Sequence, residues 1–255
     1  MSDSTPELSI SIVSHGQAEL VDRLLGDIGH RCMDTRYEVI LTLNVPEILP
    51  FEPKDFGFPI RVIRNPNPKG FGQNHNAAFS KAMGRYFCVL NPDIRLHGDP
   101  FPALLSELAG SRVGVTAPRI EDGHGNLEDS ARDFPAPLEL LGKLFGRRSA
   151  VHDSQGAVVH APDWLAGMFL VLPREVYARI GGFDERYFLY YEDVDICLRL
   201  RLEGYQVRLC GAVTAIHEAR RSSRRNLRYM YWHLSSMMRF FLSRPYRKMR
   251  RDQKG

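Results

Sequence analysis

YFCVLNPD, Tyr86 to Asp93, reads as a buried strand cut short by its own last residues. Pro92 has no N–H to give a sheet ladder, so the strand stops at Asn91-Pro92-Asp93. Upstream, Gly72 to Met83 reads as a helix, with Ala77, Ala78 and Ala82 permitting close packing. Before it come two more strands, Ile60 to Arg64 (IRVIR) and Tyr37 to Leu43 (YEVILTL). Further back, Leu20, Leu24, Leu25 and Ile28 share one face of a helix. Leu8 to Val13 (LSISIV) is a short β-rich run ending in the turn-like Ser14-His15-Gly16. Downstream, Ala103 to Leu108 is a short helix and Val113 to Ala117 another strand. This alternation argues for an α/β fold with a largely parallel sheet.

The stretch from Ile120 to His160 is polar and rich in Gly, Asp and Pro, and reads as loops with a hairpin or short helix at Leu138 to Phe145. Trp164 to Leu172 reads as one buried strand. Pro173 opens a helix to Ile180 that Gly181-Gly182 ends. Val194 to Leu202 is a further helix closed by Gly204, and Gln206 to Ile216 supplies one or two strands. At 255 residues and 44% hydrophobic the chain can bury a full core, which excludes disordered, collagenous and small disulfide-rich classes. The longest near-continuous apolar run, Trp164 to Leu172, is far short of the ~20 residues that span a bilayer. The start, MSDSTPE, has neither the basic nor the apolar part of a signal peptide. Cys32, Cys88, Cys197 and Cys210 show no metal-ligand spacing and read as reduced thiols of a cytoplasmic protein.

The net charge of +4 conceals two unlike parts. Residues 220–255 carry twelve Lys or Arg and one acid, whereas residues 1–219 carry 22 basic and 29 acidic groups. We therefore divide the chain into a body, 1–219, and a basic extension, 220–255. In the extension Leu227, Met230, Tyr231, Leu234, Met237, Met238 and Phe241 recur at helical spacing, flanked by Arg224, Arg225, Arg228 and Arg239. Pro245 is expected to stop that helix and leave YRKMRRDQK as a loose cationic end. Such an extension packs on the body, lies on an anionic membrane, or binds nucleic acid. Nothing in the body supports nucleic acid.

Ligands of open α/β sheets sit at the carboxyl ends of strands. Ser14, His15, Asn44, Asn91 and Asp93 all fall there and suggest one crevice. GFGQNHN, Gly70 to Asn76, precedes a helix and reads either as a plain turn or as a phosphate cradle; it is neither a Walker loop nor a dinucleotide fingerprint. Asp93 reads as a turn cap or as a carboxylate for a hard divalent cation. FDERYFLYYEDVD, Phe183 to Asp195, interleaves acids with aromatics. A helix N-terminus favours one or two acids there, but not an aromatic-walled approach, which suits a sugar. His217 ends a strand and is structural unless Asp93 lies near it.

Taken together these residues resemble family 2 glycosyltransferases with the GT-A fold, in particular a bacterial rhamnosyltransferase-like branch. The resemblance runs from about Leu8 to Ser223, through ISIVSHG, NPNPKGFGQNHNAAF, LNPDIRL, the long WLAGMFLVLPREVYARIGGFDERYFLYYEDVDICLRLRLEGY and IHEARRSS. It implies a nucleotide-diphospho-sugar transferase fold, a mostly parallel sheet flanked by helices. It implies that Asp93 is the surviving acid of an Asp-x-Asp motif holding Mg or Mn, with Asn91 in the first place and His217 completing the site. It implies Asp193 as the general base of an inverting transfer, and Ser14, His15, Asn44, Gly70, Gly72 and Asn76 on the donor side. Trp164, Gly167, Tyr191 and Glu192 fall on the acceptor side. The Asp-Asn-x-Ser element of many relatives is here Asn44-Val45-Pro46-Glu47, of which Asn44 alone matches, so UDP and dTDP donors both stay open.

The expected reaction moves a sugar, with rhamnose a candidate, from a nucleoside diphosphate to a hydroxyl of a glycan or lipid-linked acceptor of cell-surface polysaccharide, lipopolysaccharide included. The enzyme would be cytoplasmic, held peripherally at the inner face of the cell membrane by its basic extension. Two other classes compete. A sugar nucleotidyltransferase would require a nucleoside triphosphate and a basic glycine-rich N-terminal signature that is absent. A non-enzymatic carbohydrate- or nucleic-acid-binding protein would leave Asp93 and Asp193 without a purpose.

Overall fold

The structure, a computed structural model, describes residues 5–110, 112–135, 161–218 and 227–253. Ten strands are assigned: β1 (Leu8–Ser14), β2 (Tyr37–Leu43), β3 (Ile60–Arg64), β4 (Tyr86–Leu90), β5 (Ile94–Arg95), β6 (Val113–Asp122), β7 (Ala131–Arg132), β8 (Trp164–Leu165), β9 (Phe169–Pro173) and β10 (Gln206–His217). The helices are α1 (Ala18–Arg31), α2 (Phe71–Phe79), α3 (Phe101–Leu108), α4 (Arg174–Arg179), α5 (Glu192–Leu202), α6 (Leu227–Leu242) and α7 (Arg244–Asp252). Eight strands form one sheet in the order β3-β2-β1-β4-β9-β6-β10-β5, and β7 pairs with β8 apart from it. All run the same way except β9, antiparallel to β4 and β6, and β5, antiparallel to β10. The mostly parallel sheet expected from the sequence is thus present. The strand order reverses at β1, where neighbouring connections leave in opposite directions and open a crevice.

Burial explains the elements. β4 is fully buried, as its unbroken apolar run requires of a strand covered on both faces. α1 buries Leu20, Val21, Leu24, Leu25 and Ile28 against the sheet. α2 ends at Phe79, four residues earlier than its pattern suggests. The reason is polar. Met83 N–H donates to Glu38 Oε1 at 2.7 Å, and Gly84 N–H donates to Ser9 Oγ at 2.8 Å, which draws the chain off the helix axis.

Two expectations need correction. Trp164 to Leu172 is not one strand. It breaks at Ala166 to Met168, where Gly167 N–H turns to Asp193 Oδ2 at 3.0 Å and Met168 C=O accepts from Asn91 N–H at 2.8 Å. The basic extension does not end in a loose tail. Ser243 caps α7, its Oγ accepting from Tyr246 N–H at 3.2 Å, and Pro245 sits in the first turn, where a missing N–H costs nothing. The helix expected at Leu138 to Phe145 and Arg220 to Arg225 lie outside the described residues.

α6 packs by only part of the face its apolar spacing suggests: Met237 and Phe241 lie against the body with Ser236 and Phe240. Ser236 and Phe240 are buried, while Leu227, Tyr231 and Met238 are 76%, 67% and 61% exposed. Phe240 and Tyr246 join Tyr187, Tyr191, Val194 and Leu198 of the body in one apolar cluster. All four cysteines are buried free thiols.

Candidate active site

The carboxyl ends of β1 to β4 carry a continuous polar rim. Ser14 Oγ donates to Glu47 Oε2 at 2.8 Å and accepts from Gln17 N–H. The exposed His15 has Nδ1 3.2 Å from Asn44 Nδ2. Asn44, buried, is the hub. Its Oδ1 accepts from Asn65 Nδ2 at 2.9 Å and Lys69 N–H at 2.8 Å, and its Nδ2 donates to Lys69 C=O at 2.9 Å. Asn65 also donates to Asn74 Oδ1 at 2.6 Å. Asn44 therefore shapes the loop after β3. Asn65 is the member of this network that the sequence did not single out; the available signal was an Asn closing each of β2, β3 and β4.

The glycine loop serves the fold. A Cβ on Gly70 would lie 2.8 Å from Phe188 O, and one on Gly72 would lie 2.5 Å from Phe183 Cβ. Phe71 N–H donates to Phe188 C=O at 2.8 Å, so the loop is pressed onto the aromatic segment. Asn76 does the same work. Its Nδ2 donates to Phe183 C=O and Glu185 Oε1, and its Oδ1 accepts from Tyr177 O–H and Phe183 N–H. That spends all four of its hydrogen-bond positions within the protein. The expected donor contact from Asn76 gives way to this role.

Asp93 and His217, distant in sequence, meet. His217 Nε2 lies 3.3 Å from Asp93 Oδ2, and its Nδ1 lies 2.7 Å from Glu128 Oε2. Burial opposes the imidazolium, but the two carboxylates outweigh it and bring His217 up to about 9. Asp93 Oδ1 is buried with no hydrogen-bond partner among the described residues. A bare carboxylate oxygen beside an imidazole fits a hard divalent cation whose remaining ligands are phosphate and water oxygens. No group of three or more acidic, His or Cys side chains forms a ready cation cage among the described residues. Asn91, two residues before Asp93, ties the rim to Met168 through its N–H.

Asp193, in the first turn of α5, is partly exposed. Its Oδ2 accepts from Gly167 N–H at 3.0 Å and its Oδ1 from Val194 N–H at 2.9 Å. Burial pushes its pKa up, while those N–H groups and Arg132 hold it down. Glu192 is buried, with Oε2 unpartnered, and burial followed by the Asp193 charge pushes it well above the usual range. The residues before them are held unusually. Tyr190 and Tyr191 have φ of 70° and 67°, left-handed values that bulky side chains rarely adopt. Consecutive outliers of this kind cost about 1–3 kcal/mol each and cluster at functional sites. Gly167 packs between Phe71 and Asp193: a Cβ there would lie 3.3 Å from Phe71 Cζ and 3.5 Å from Asp193 Cβ. Trp164 donates its Nε1–H to Asp133 C=O and lies under the Arg132 guanidinium, 5.5 Å from ring centre.

A short path joins the two aspartates. Asp193 is held by Gly167, the adjacent Met168 holds Asn91, and Asn91 leads through Pro92 to Asp93. The three-residue turn between β8 and β9 thus bonds Asp193 directly and reaches Asp93 through Asn91, two residues before it.

A family model described as "Glycosyl transferase family 2" matches residues 9–172. The chain is 28% identical over 243 residues to rhamnosyltransferase WbbL of Escherichia coli (strain K12), covering 91% of each. It is 31% identical over 167 residues to the N-acetylglucosaminyl-diphospho-decaprenol L-rhamnosyltransferase of Mycobacterium tuberculosis, covering 61% of this chain and 54% of that protein. Among solved structures it superposes on GalNAc-T7 with UDP, GalNAc and Mn2+ at TM-score 0.70 and 16% identity, covering 94% of this chain and 48% of that one.

Proposed function

The chain belongs to glycosyl transferase family 2, and from that premise we propose an inverting, metal-assisted transfer from a nucleoside diphosphate sugar, with Asp193 as base. The sugar is rhamnose, carried on dTDP or UDP, and the acceptor is a hydroxyl of a lipid-linked glycan. The rhamnosyltransferase names of two relatives support the sugar, and the diphospho-decaprenol in one of those names supports the acceptor. The family match favours this reading over the nucleotidyltransferase and non-enzymatic alternatives.

One carboxylate offers about four acceptor positions, and backbone N–H groups occupy two on Asp193. The others are open to an acceptor hydroxyl. As that oxygen bonds to the anomeric carbon, its proton passes to Asp193 and the bond to the diphosphate oxygen breaks on the far face. The raised pKa strengthens the base, while the Gly167 and Val194 N–H groups oppose that rise and aim the carboxylate. Burial of Glu192, which pushes its pKa up, works against a second negative charge beside it. Asp93 and His217 would hold Mg or Mn, which supplies positive charge opposite the departing diphosphate. His217 must release its proton to serve there. His15 and the loop fixed by Asn44 form the donor side.

The exposed apolar face of α6, with the cations of α7 beside it, supports peripheral attachment to an anionic membrane. No helix among the described residues is long and apolar enough to cross one.

The observation that supports the reading is the turn at Gly167–Met168, which hydrogen-bonds Asp193 on one side and Asn91, two residues before Asp93, on the other. Asp193→Asn is expected to bind a dTDP- or UDP-sugar with unchanged affinity by calorimetry and to lose ~10²-fold or more in turnover with Mn present. Turnover within a few-fold of wild type would remove Asp193 from the role.

A further inference from the structure

Away from the site, α4, the carboxyl end of α5 and α7 enclose an open groove of about 1030 Å³. By helix rise it lies roughly 14 Å along α5 from Asp193. Its walls hold Arg179, Arg244, Arg247, Lys248, Arg250 and Arg251, against a single acid, Glu203. Arg199 also reaches it but is spent on Asp195 at 2.7 Å and on Ile180 and Gly182 carbonyls. None of the six other cations is ion-paired with a described residue; Arg247 and Arg250 touch neutral oxygens at 3.4 and 3.3 Å. So many like charges around one concavity repel each other, and a bound anion offsets that cost.

The groove is not isolated from the exposed face of α6. Phe241 lines it and stands one turn from the exposed Met238. An apolar stripe and a cationic hollow therefore adjoin. We propose that this groove is a phosphate-binding site that seats headgroups of an anionic bilayer while the stripe of α6 enters its surface. The inference rests on the membrane reading above and deepens it, because it makes Arg179, in the body, part of the attachment. Continuity with the stripe favours lipid over soluble phosphate, since a free anion has no use for the neighbouring apolar face.

The test uses the full chain and vesicles of phosphatidylcholine with or without ~30% phosphatidylglycerol at fixed salt. The variants are Arg179→Gln with Lys248→Gln, and Leu234→Ser with Met238→Ser. Neither pair touches the proposed catalytic residues, and turnover on a soluble acceptor and the Tm show that each folds. Wild type is expected to sediment with anionic vesicles. The double Gln variant should lose partitioning about ten- to thirty-fold, the effect of two cations near an anionic surface. The double Ser variant should lose binding to both vesicle types. If the Gln variant partitions like wild type while the Ser variant does not, the groove is refuted and the membrane reading stands. If wild type binds no vesicles, both fail. Thermal stabilisation by inorganic pyrophosphate that the Gln substitutions abolish, without vesicle binding, would assign the groove to a soluble phosphate and overturn the lipid source. Binding of a single-stranded oligonucleotide in place of vesicles would overturn it equally.

Discussion

Glu192 and Asp193 are adjacent carboxylates with opposite circumstances. One is buried with an oxygen unpartnered; the other has two N–H groups on it and a path to solvent. Folding holds the Glu192 pKa above its ordinary 4.5. A carboxyl raised this way favours the fold fully below 4.5 and loses that contribution as pH climbs towards its folded value. Glu192→Gln keeps the shape without the titration. It is expected to melt no lower than wild type at pH 7.5 and to lose ground to wild type as pH falls towards 4.5, by scanning fluorimetry. A variant several degrees less stable throughout would mean that Glu192 is charged and paired. Asp93→Ala should weaken Mn2+ binding at least tenfold by calorimetry, the loss of a charged ligand; an unchanged titration would place the cation elsewhere. At this scale the sequence was legible where strand ends and helix starts restrict placement: Asp93 and His217 meet at 3.3 Å, and Asp193 stands in the first turn of α5. It misled at Gly72 and Asn76, because a small or amide residue before a helix serves close packing and ligand contact alike. Spacing does not separate the two.

Elements carry those residues into place, and their joints are polar. Asp27 of α1 accepts two hydrogen bonds from Arg95 of β5, at 2.6 and 2.9 Å, and a third from Leu96 N–H. Burial pushes the Asp27 pKa up, but Arg95 and the Leu96 N–H outweigh it and the net shift is downward. A lowered carboxylate stabilises above its ordinary 3.8 and loses that contribution as pH falls through its folded value. Asp27→Asn is expected to cost about 1–3 kcal/mol in urea unfolding at pH 7, the scale of hydrogen bonds to a charged group, with the gap closing below pH 4. The strand–helix alternation was legible because burial imposes apolar runs on β4 and a helical stripe on α1. The break in Trp164 to Leu172 was not, since it depends on partners, Asp193 and Asn91, that lie far away in sequence. α6 misled for a related reason. Part of its apolar face points outward, and the Ser236–Phe240 side finds the aromatic segment.

Across the whole molecule the boundary at 219/220 lies outside the described residues, and the described part of the extension packs on the body. Phe240 is fully buried among body residues, Ser236 Oγ donates to Leu189 C=O at 2.9 Å, and Phe188 stacks on Trp232 with 4.6 Å between ring centres. The basic extension thus backs the segment that leads into Asp193. Phe240→Ala is expected to lower stability by about 3–5 kcal/mol, as for other buried aromatic truncations, and to raise the acceptor KM more than the donor KM. A variant of normal stability and kinetics would make the extension a separate appendage. Composition revealed the charge asymmetry but not this union, because it rests on a few contacts that a count of arginines does not register.

The antiparallel β9 between β4 and β6 also bears on how the chain assembles. β1 to β3 pair with near neighbours in sequence, whereas Leu8 meets Tyr86, Leu90 meets Phe169 and Ile94 meets His217 only after long loops close. Closing such loops is slow relative to local pairing. During synthesis β1 to β3 therefore have their partners first, and the rim is complete only when the late strands dock and bring Asp193 and His217 to it.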